Sequence, residues 1–254
     1  MGHPRRYFVT GTPYFVTNRV AEGLPFVATL YINLFLFGIL ARACFLYRTI
    51  TLCFFLFMTN HYHLLLVLRG DPQQLERFMH YVNSEIAKLV VRWTGKRNVK
   101  IWAQRYHAIP VLTSEDCLKE MLYTFLNPVR AGLVGRAIDW RGCSSLYSLS
   151  DSTPRNYSWL KLNDTRRLPN ARFSRKIAKG LLKGLSTLCR PMYSLPLDPF
   201  GWMECFPDTA GKSVDEMRDR LCHDIARTEL RCARVRKVKN QGIVVLCRKG
   251  LVRH

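Results

Sequence analysis

The motif His61-Tyr62-His63 has the spacing in this chain best suited to chemistry. It opens the run HYHLLLVL, which reads as a β-strand, and residues two apart on a strand project from the same face. Two imidazoles on one face can grip a single cation. A pair of neutral nitrogen ligands also leaves coordination positions open, as catalysis needs and a closed structural site does not. A second group lies in SEDCLKEMLYTFLNP, residues 114–128. Leu118, Met121, Leu122, Phe125 and Leu126 form the apolar stripe of a helix, while Asp116, Lys119, Glu120, Tyr123 and Asn127 line another side. Tyr123 offers a hydroxyl nucleophile off that stripe. Asn127, one turn later on the same face, offers a carbonyl oxygen to the same cation. The plainer alternative is a half-exposed tyrosine and a helix-end asparagine.

These groups must be held by the elements around them. Residues 7–19, YFVTGTPYFVTNR, read as extended chain, rich in Tyr, Phe, Val and Thr. Residues 27–46 read as a long, mostly buried helix, because the apolar run 25–40 covers nearly its whole circumference. At about 16 residues that run is short of the ~20 that span a bilayer. Residues 48–57 and 61–68 read as a hairpin around Thr59-Asn60, and residues 73–93 as an amphipathic helix. Residues 105–112 read as a short strand, placed at an edge by Pro110. Thr113 or Ser114 caps the helix bearing Tyr123, which should stop near Asn127 because Pro128 disfavours helical geometry in the residue before it. The order strand, helix, strand, strand, helix, strand is the split βαβ arrangement of ferredoxin-like domains. The hairpin strands are apolar on both faces, so the second face also needs a cover, and the tyrosine helix is the natural one. The fold class expected is therefore α+β: an antiparallel sheet with helices on one face and the tyrosine-bearing helix on the other.

Two stretches resemble a known family. Phe57-Met58-Thr59-Asn60-His61-Tyr62-His63-Leu64-Leu65 resembles the HUH strand of IS200-like single-tyrosine transposases. Tyr123-Thr124-Phe125-Leu126-Asn127-Pro128-Val129-Arg130-Ala131-Gly132-Leu133-Val134 resembles the tyrosine-helix motif of the REP-associated branch. Arg5-Arg6-Tyr7-Phe8-Val9-Thr10, Tyr14-Phe15-Val16-Thr17 and Trp102-Ala103-Gln104-Arg105-Tyr106-His107 are similar to that branch as well. The resemblance spans about residues 5–150. It implies an endonuclease that cuts and rejoins single-stranded, hairpin-forming DNA, as a monomer or alternatively a dimer. His61, His63 and Asn127 would hold Mg²⁺ or Mn²⁺, and Tyr123 would form a 5′-phosphotyrosine. The alternatives are a non-catalytic nucleic-acid-binding domain of the same fold, a decayed transposase copy, or a membrane-associated protein built around 25–57.

Charge agrees with a polyanionic partner. The chain has 254 residues, 39 Lys plus Arg and 18 Asp plus Glu, for a net charge of +21. Arg5, Arg6, Arg69, Lys96, Arg97, Lys100, Arg105, Arg130 and Arg136 are the candidate DNA contacts, each also readable as a solvated surface charge. Trp102 and Tyr106 are candidates for stacking on unpaired bases, with Trp102 equally readable as core; His107 reads first as a structural histidine of its strand and alternatively as a further polar group near the site. Nine cysteines with no CxxC pair fit neither a disulfide scaffold nor a zinc ribbon; they read as reduced thiols of a cytoplasmic protein. No signal peptide is evident at the start, and no membrane partner is expected.

Beyond residue 150 the character changes. The expected division is a catalytic domain over 1–150 and a basic, partly helical extension over 151–254. Within the extension, 151–176 reads as a linker, 176–189 as a helix, 191–209 as irregular, and 213–239 as a charged helix with Arg227, Arg231, Arg234 and Arg236. The final segment, 240–254, reads as an abrupt ending.

Overall fold

The computed structural model describes residues 6–21, 30–94, 100–159 and 192–250. Arg5, Lys96, Arg97, the expected helix over 176–189 and most of the expected linker fall outside these residues.

The elements in chain order are β1 (Pro13–Arg19), α1 (Leu30–Leu46), β2 (Ile50–Phe57), β3 (His61–Leu68), α2 (Gln73–Thr94), β4 (His107–Pro110), α3 (Ser114–Arg130), β5 (Arg155–Ser158), β6 (Met192–Leu195) and α4 (Val214–Gly250). The first four strands form one antiparallel sheet in the order β2-β3-β1-β4, and β5 pairs with β6 in a second sheet. This is the ferredoxin-like α+β arrangement, with β4 at an edge as Pro110 requires.

Alternation along the strands sorts side chains into two cores. Tyr14, Val16, Phe55, Leu64 and Leu66 face α1 and α2, where they meet Leu36, Leu40, Phe78, Val82 and Ile86. Phe15, Phe54, Leu65 and Val67 face α3, where they meet Met121, Phe125 and Leu126. The sheet is thus covered on both faces, and its aromatic residues are internal. The second core also takes residues from late in the chain: Trp202 is fully buried, with Phe200, Met217, Leu221 and Ile225 around it.

Three local expectations shift. Helix α3 does not end at Asn127 but runs through Pro128 to Arg130. Proline sacrifices one backbone donor, but Leu126, Pro128 and Val129 are buried, and that packing holds the last turn. The helix closes one residue later: Ala131 N–H donates to Asn127 O, Leu133 N–H donates to Pro128 O, and Gly132 takes the left-handed conformation at φ 73°. Part of the segment read as a linker is a strand, because β5 lies across α1. Gly38 is the point of closest approach, where a Cβ would collide with the Ser158 carbonyl. Segment 192–209 is not irregular throughout: β6 is followed by short 3-10 turns at Gly201–Cys205 and Pro207–Thr209.

The long apolar helix α1 is a core helix, and no helix among the described residues is long and apolar enough to cross a membrane. Cys44, Cys53, Cys117, Cys143, Cys205, Cys222 and Cys232 are free thiols; the first four are buried, and Cys222 is exposed.

Candidate active site

The hairpin and α3 bring the two sequence motifs together. His61 and His63 are the first and third residues of β3. Their rings lie 4.8 Å apart, edge to face. Both project toward α3, as two-residue periodicity demands. The His61 Nδ1 lies 2.7 Å from Asn60 Oδ1. With Asn60 accepting from Nδ1–H, the lone pair of His61 is left on Nε2. The Nε2 atoms of His61 and His63 then converge on one group, the side-chain amide of Asn127, whose Nδ2 is 3.4 Å from the first and 3.1 Å from the second. The last turn of α3, held through Pro128, sets this amide in place.

Tyr123 completes the cluster. Its ring meets that of His63 edge-on at 5.7 Å, while Phe15 of β1 stacks on His63 at 5.4 Å and 13°. The imidazole is therefore gripped between two aromatic side chains. Tyr123 is 43% exposed, unlike the residues of the apolar stripe, and lines an open groove. Arg130 lies over the tyrosine ring, with Cζ 5.5 Å from its centre.

Burial controls the protonation of the pair. His63 is pushed down to about 3, first by desolvation and then by His61. His61 is also lowered, by burial first and by the Arg19 guanidinium second. Both rings are thus neutral at pH 7 and available as nitrogen ligands. His63 Nδ1 is buried without a hydrogen-bond partner. Glu120, which lines the same groove, is held above the usual carboxylate range by burial and by Asp116.

The groove between α3 and the sheet has a volume of about 620 Å³. Arg19, Thr17, Gln104, His107, Lys119 and Glu120 share its lining with the histidines and Tyr123. Three of these follow from strand register: Arg19 sits opposite His61, Thr17 opposite His63, and His107 opposite Thr17. His107 is exposed, with its Nε2 3.0 Å from Gln104 Nε2. Sequence reasoning missed Arg19, Gln104 and Asn60. The available signal was register: in an antiparallel sheet, residues facing each other across strands share a side.

The basic residues chosen from sequence are scattered. Arg130 lies beside Tyr123, and Arg136 and Lys100 are exposed. Arg6 lies against Tyr106, with its guanidinium 4.2 Å above the ring and donating to the Tyr106 carbonyl. Arg105 pairs with Glu76 at 3.2 Å. Arg69 follows the opposite end of β3 from His61, roughly 25 Å away at ~3.3 Å per residue. There it pairs with Glu204 at 2.6 Å and donates to Gly201 O at 2.7 Å. The aromatic candidates serve the fold: Tyr106 is buried beneath Arg6, and Trp102 donates to Asn83 O at 3.1 Å.

No protein-family model matches the chain, and no curated protein matches it. A solved structure described as the "REP associates tyrosine transposase bound to a REP hairpin" is similar over 59% of this chain and 86% of its own, with 18% identity and a TM-score of 0.49. In its own right the chain is a ferredoxin-like α+β protein in which an HxH strand faces a tyrosine-bearing helix.

Proposed function

We propose that this protein cleaves and rejoins single-stranded, hairpin-forming DNA in a metal-dependent reaction, with Tyr123 as the nucleophile. One observation carries the reading. Two neutral imidazoles aim their Nε2 atoms at one point, and an exposed tyrosine stands against them at the wall of an open groove.

The donor set fits a divalent cation such as Mg²⁺ or Mn²⁺. His61 and His63 supply two nitrogens, and Asn127 supplies an amide oxygen when its side chain is turned over. Among the described residues no three His, Cys, Asp or Glu side chains are placed to hold one ion, and the Asn127 amide is the further donor beside the two imidazoles. When bound, such a cation polarises the scissile phosphate and offsets charge growing on its oxygens.

The residues of the chain do the rest. Tyr123 attacks phosphorus through its phenolic oxygen, losing its proton. A bond forms from that oxygen to phosphorus while the bond to the 3′-oxygen breaks. The products are a 5′-phosphotyrosine and a free 3′-hydroxyl. The ester keeps the bond energy, so a 3′-hydroxyl can reverse the step and join strands without a nucleotide cofactor. The edge contact with His63 and the cation–π contact with Arg130 orient the ring.

The fold disfavours the non-catalytic alternative. Ferredoxin-like RNA binders stack bases on an open sheet face, whereas this sheet is covered on both sides.

The test uses the full chain, Mn²⁺ and a pool of 3′-labelled hairpin oligonucleotides with randomised single-stranded flanks. The expected result is a labelled protein–DNA adduct that survives denaturation, is absent in Tyr123→Phe, and is reduced by about a hundredfold or more in His61→Ala and His63→Ala. A Tyr123→Phe variant that still forms the adduct refutes the nucleophile assignment.

A further inference from the structure

We propose that Arg19 is a phosphate-contacting catalytic residue of this site, its guanidinium binding the non-bridging oxygens of the phosphodiester held between it and the imidazole pair. This rests on the phosphoryl-transfer reading above and adds a residue to it.

Arg19 ends β1 directly opposite His61, and Thr17 stands opposite His63. Register partners share a face, so the guanidinium stem rises from the sheet on the side that carries both imidazoles. Arg19 is exposed and lines the groove shared with His61, His63 and Tyr123. Its side chain makes no hydrogen bond or ion pair with any described residue. Nearby, Arg130 lies over the Tyr123 ring, and Arg105, which lines an adjoining cavity, pairs with Glu76.

The base of the side chain is fixed where its tip is open. Arg19 N–H donates to Asn18 Oδ1 at 2.9 Å, and Asn18 is held by Asn83 at 3.0 Å. The Arg19 carbonyl accepts from Ala103 N–H at 2.9 Å, and the following Val20 N–H donates to Asn60 O at 2.9 Å. Asn60 is the residue that also holds the His61 ring. One set of contacts therefore sets both the arginine and the imidazole.

Charge gives this placement its meaning. Register sets the Arg19 guanidinium on the same side of the sheet as both imidazoles. A guanidinium beside a place suited to a cation repels that cation, and among the described residues Glu120, the acid lining the groove, makes no ion pair with Arg19. Two positive groups flanking an open groove become mutually favourable when an anion lies between them. A phosphodiester fits, because its two non-bridging oxygens match the planar fork of arginine on one side and leave an oxygen for the cation on the other. The contact strengthens as charge builds on those oxygens during transfer.

The experiment compares wild type, Arg19→Gln and Arg19→Lys with Mn²⁺ and the labelled hairpin pool at saturating DNA. Single-turnover adduct formation should fall by about a hundredfold in Arg19→Gln and recover only in part in Arg19→Lys, which restores charge but not the fork. Mn²⁺ affinity without DNA should be unchanged or tighter in Arg19→Gln, since a repelling charge has gone; a merely structural arginine would not give that pairing of effects. A wild-type adduct rate in Arg19→Gln overturns the inference and leaves the nuclease reading standing. Should the wild type form no adduct, Mn²⁺-dependent binding of the same pool decides: weaker binding in Arg19→Gln upholds the phosphate contact, and equal binding overturns it.

Discussion

Asn127 and His63 lie 64 positions apart in the chain, yet the Asn127 Nδ2 is 3.1 Å from the His63 Nε2. That approach joins the helix bearing the tyrosine to the strand bearing the histidines. The same amide reaches His61 at 3.4 Å, so it marks the point on which both imidazoles converge. Substituting Asn127 should therefore act on metal capture. Asn127→Ala is expected to weaken Mn²⁺ binding by about tenfold, equivalent to about 1.4 kcal/mol. Asn127→Asp should tighten it by adding a full negative charge. Titration calorimetry reads both, and Mn²⁺ binding in Asn127→Ala as tight as in wild type would remove Asn127 from the ligand set.

Asn60 is a turn residue by sequence and a ring-orienting residue by structure, since its Oδ1 sits 2.7 Å from His61 Nδ1. Loss of a group that fixes a ligating imidazole typically costs about 10–100-fold in metal affinity. Asn60→Ala should show a loss in that range while its far-ultraviolet circular dichroism stays that of wild type. Asn60→Asp should retain affinity, because a carboxylate accepts the same proton.

Acid should act on this protein through its histidines with a definite sign. In the folded chain His63 is held down to about 3 by burial and then by His61, and His61 is lowered by burial and by Arg19. In the unfolded chain both return to about 6.5. Above that value neither state binds these protons and the pair leaves stability unaffected. As pH falls from about 6.5 toward 3, the unfolded chain gains protons that the native site refuses, so stability is lost at up to about 1.4 kcal/mol per pH unit for each group. Urea midpoints measured from pH 7.5 to 4.5 should decline, and the decline should be shallower in His63→Gln. Mn²⁺ affinity should begin to fall at a lower pH than it would for an ordinary histidine pair, because both imidazoles are lowered.

Trp202 tests how far the core reaches along the chain. It is fully buried among Phe200, Met203 and the residues of α3 and α4 that cover the sheet. Removing a buried side chain of this size costs about 3–5 kcal/mol. Trp202→Ala should lower the urea midpoint accordingly, in a single transition shared by tryptophan fluorescence and circular dichroism. An unchanged midpoint would mean that residues near 202 contribute nothing to the stability of the sheet.

Local pattern carried much of this protein in plain view. Alternation in HYHLLLVL put His61 and His63 on one side of a strand, and helical spacing set Tyr123 off the stripe of Met121, Phe125 and Leu126. The order of elements yielded the ferredoxin-like sheet, and Pro110 placed β4 at its edge. Each of these depends on the periodicity of a single segment, which the chain states directly. What the chain could not state is which segments face one another. The continuation of α3 through Pro128 was decided by burial of Leu126 and Val129, which outweighed a local preference to stop. Arg19 entered the groove because β1 pairs with β3 in a register that sets it against His61, and Arg69 was carried to the far end of β3, against Glu204. Trp202 joined the second core from a segment whose local sequence suggested irregular chain. Periodicity is a property of neighbours along the backbone; register and packing are settled only when distant surfaces compete to leave water, and that competition is resolved by the whole fold.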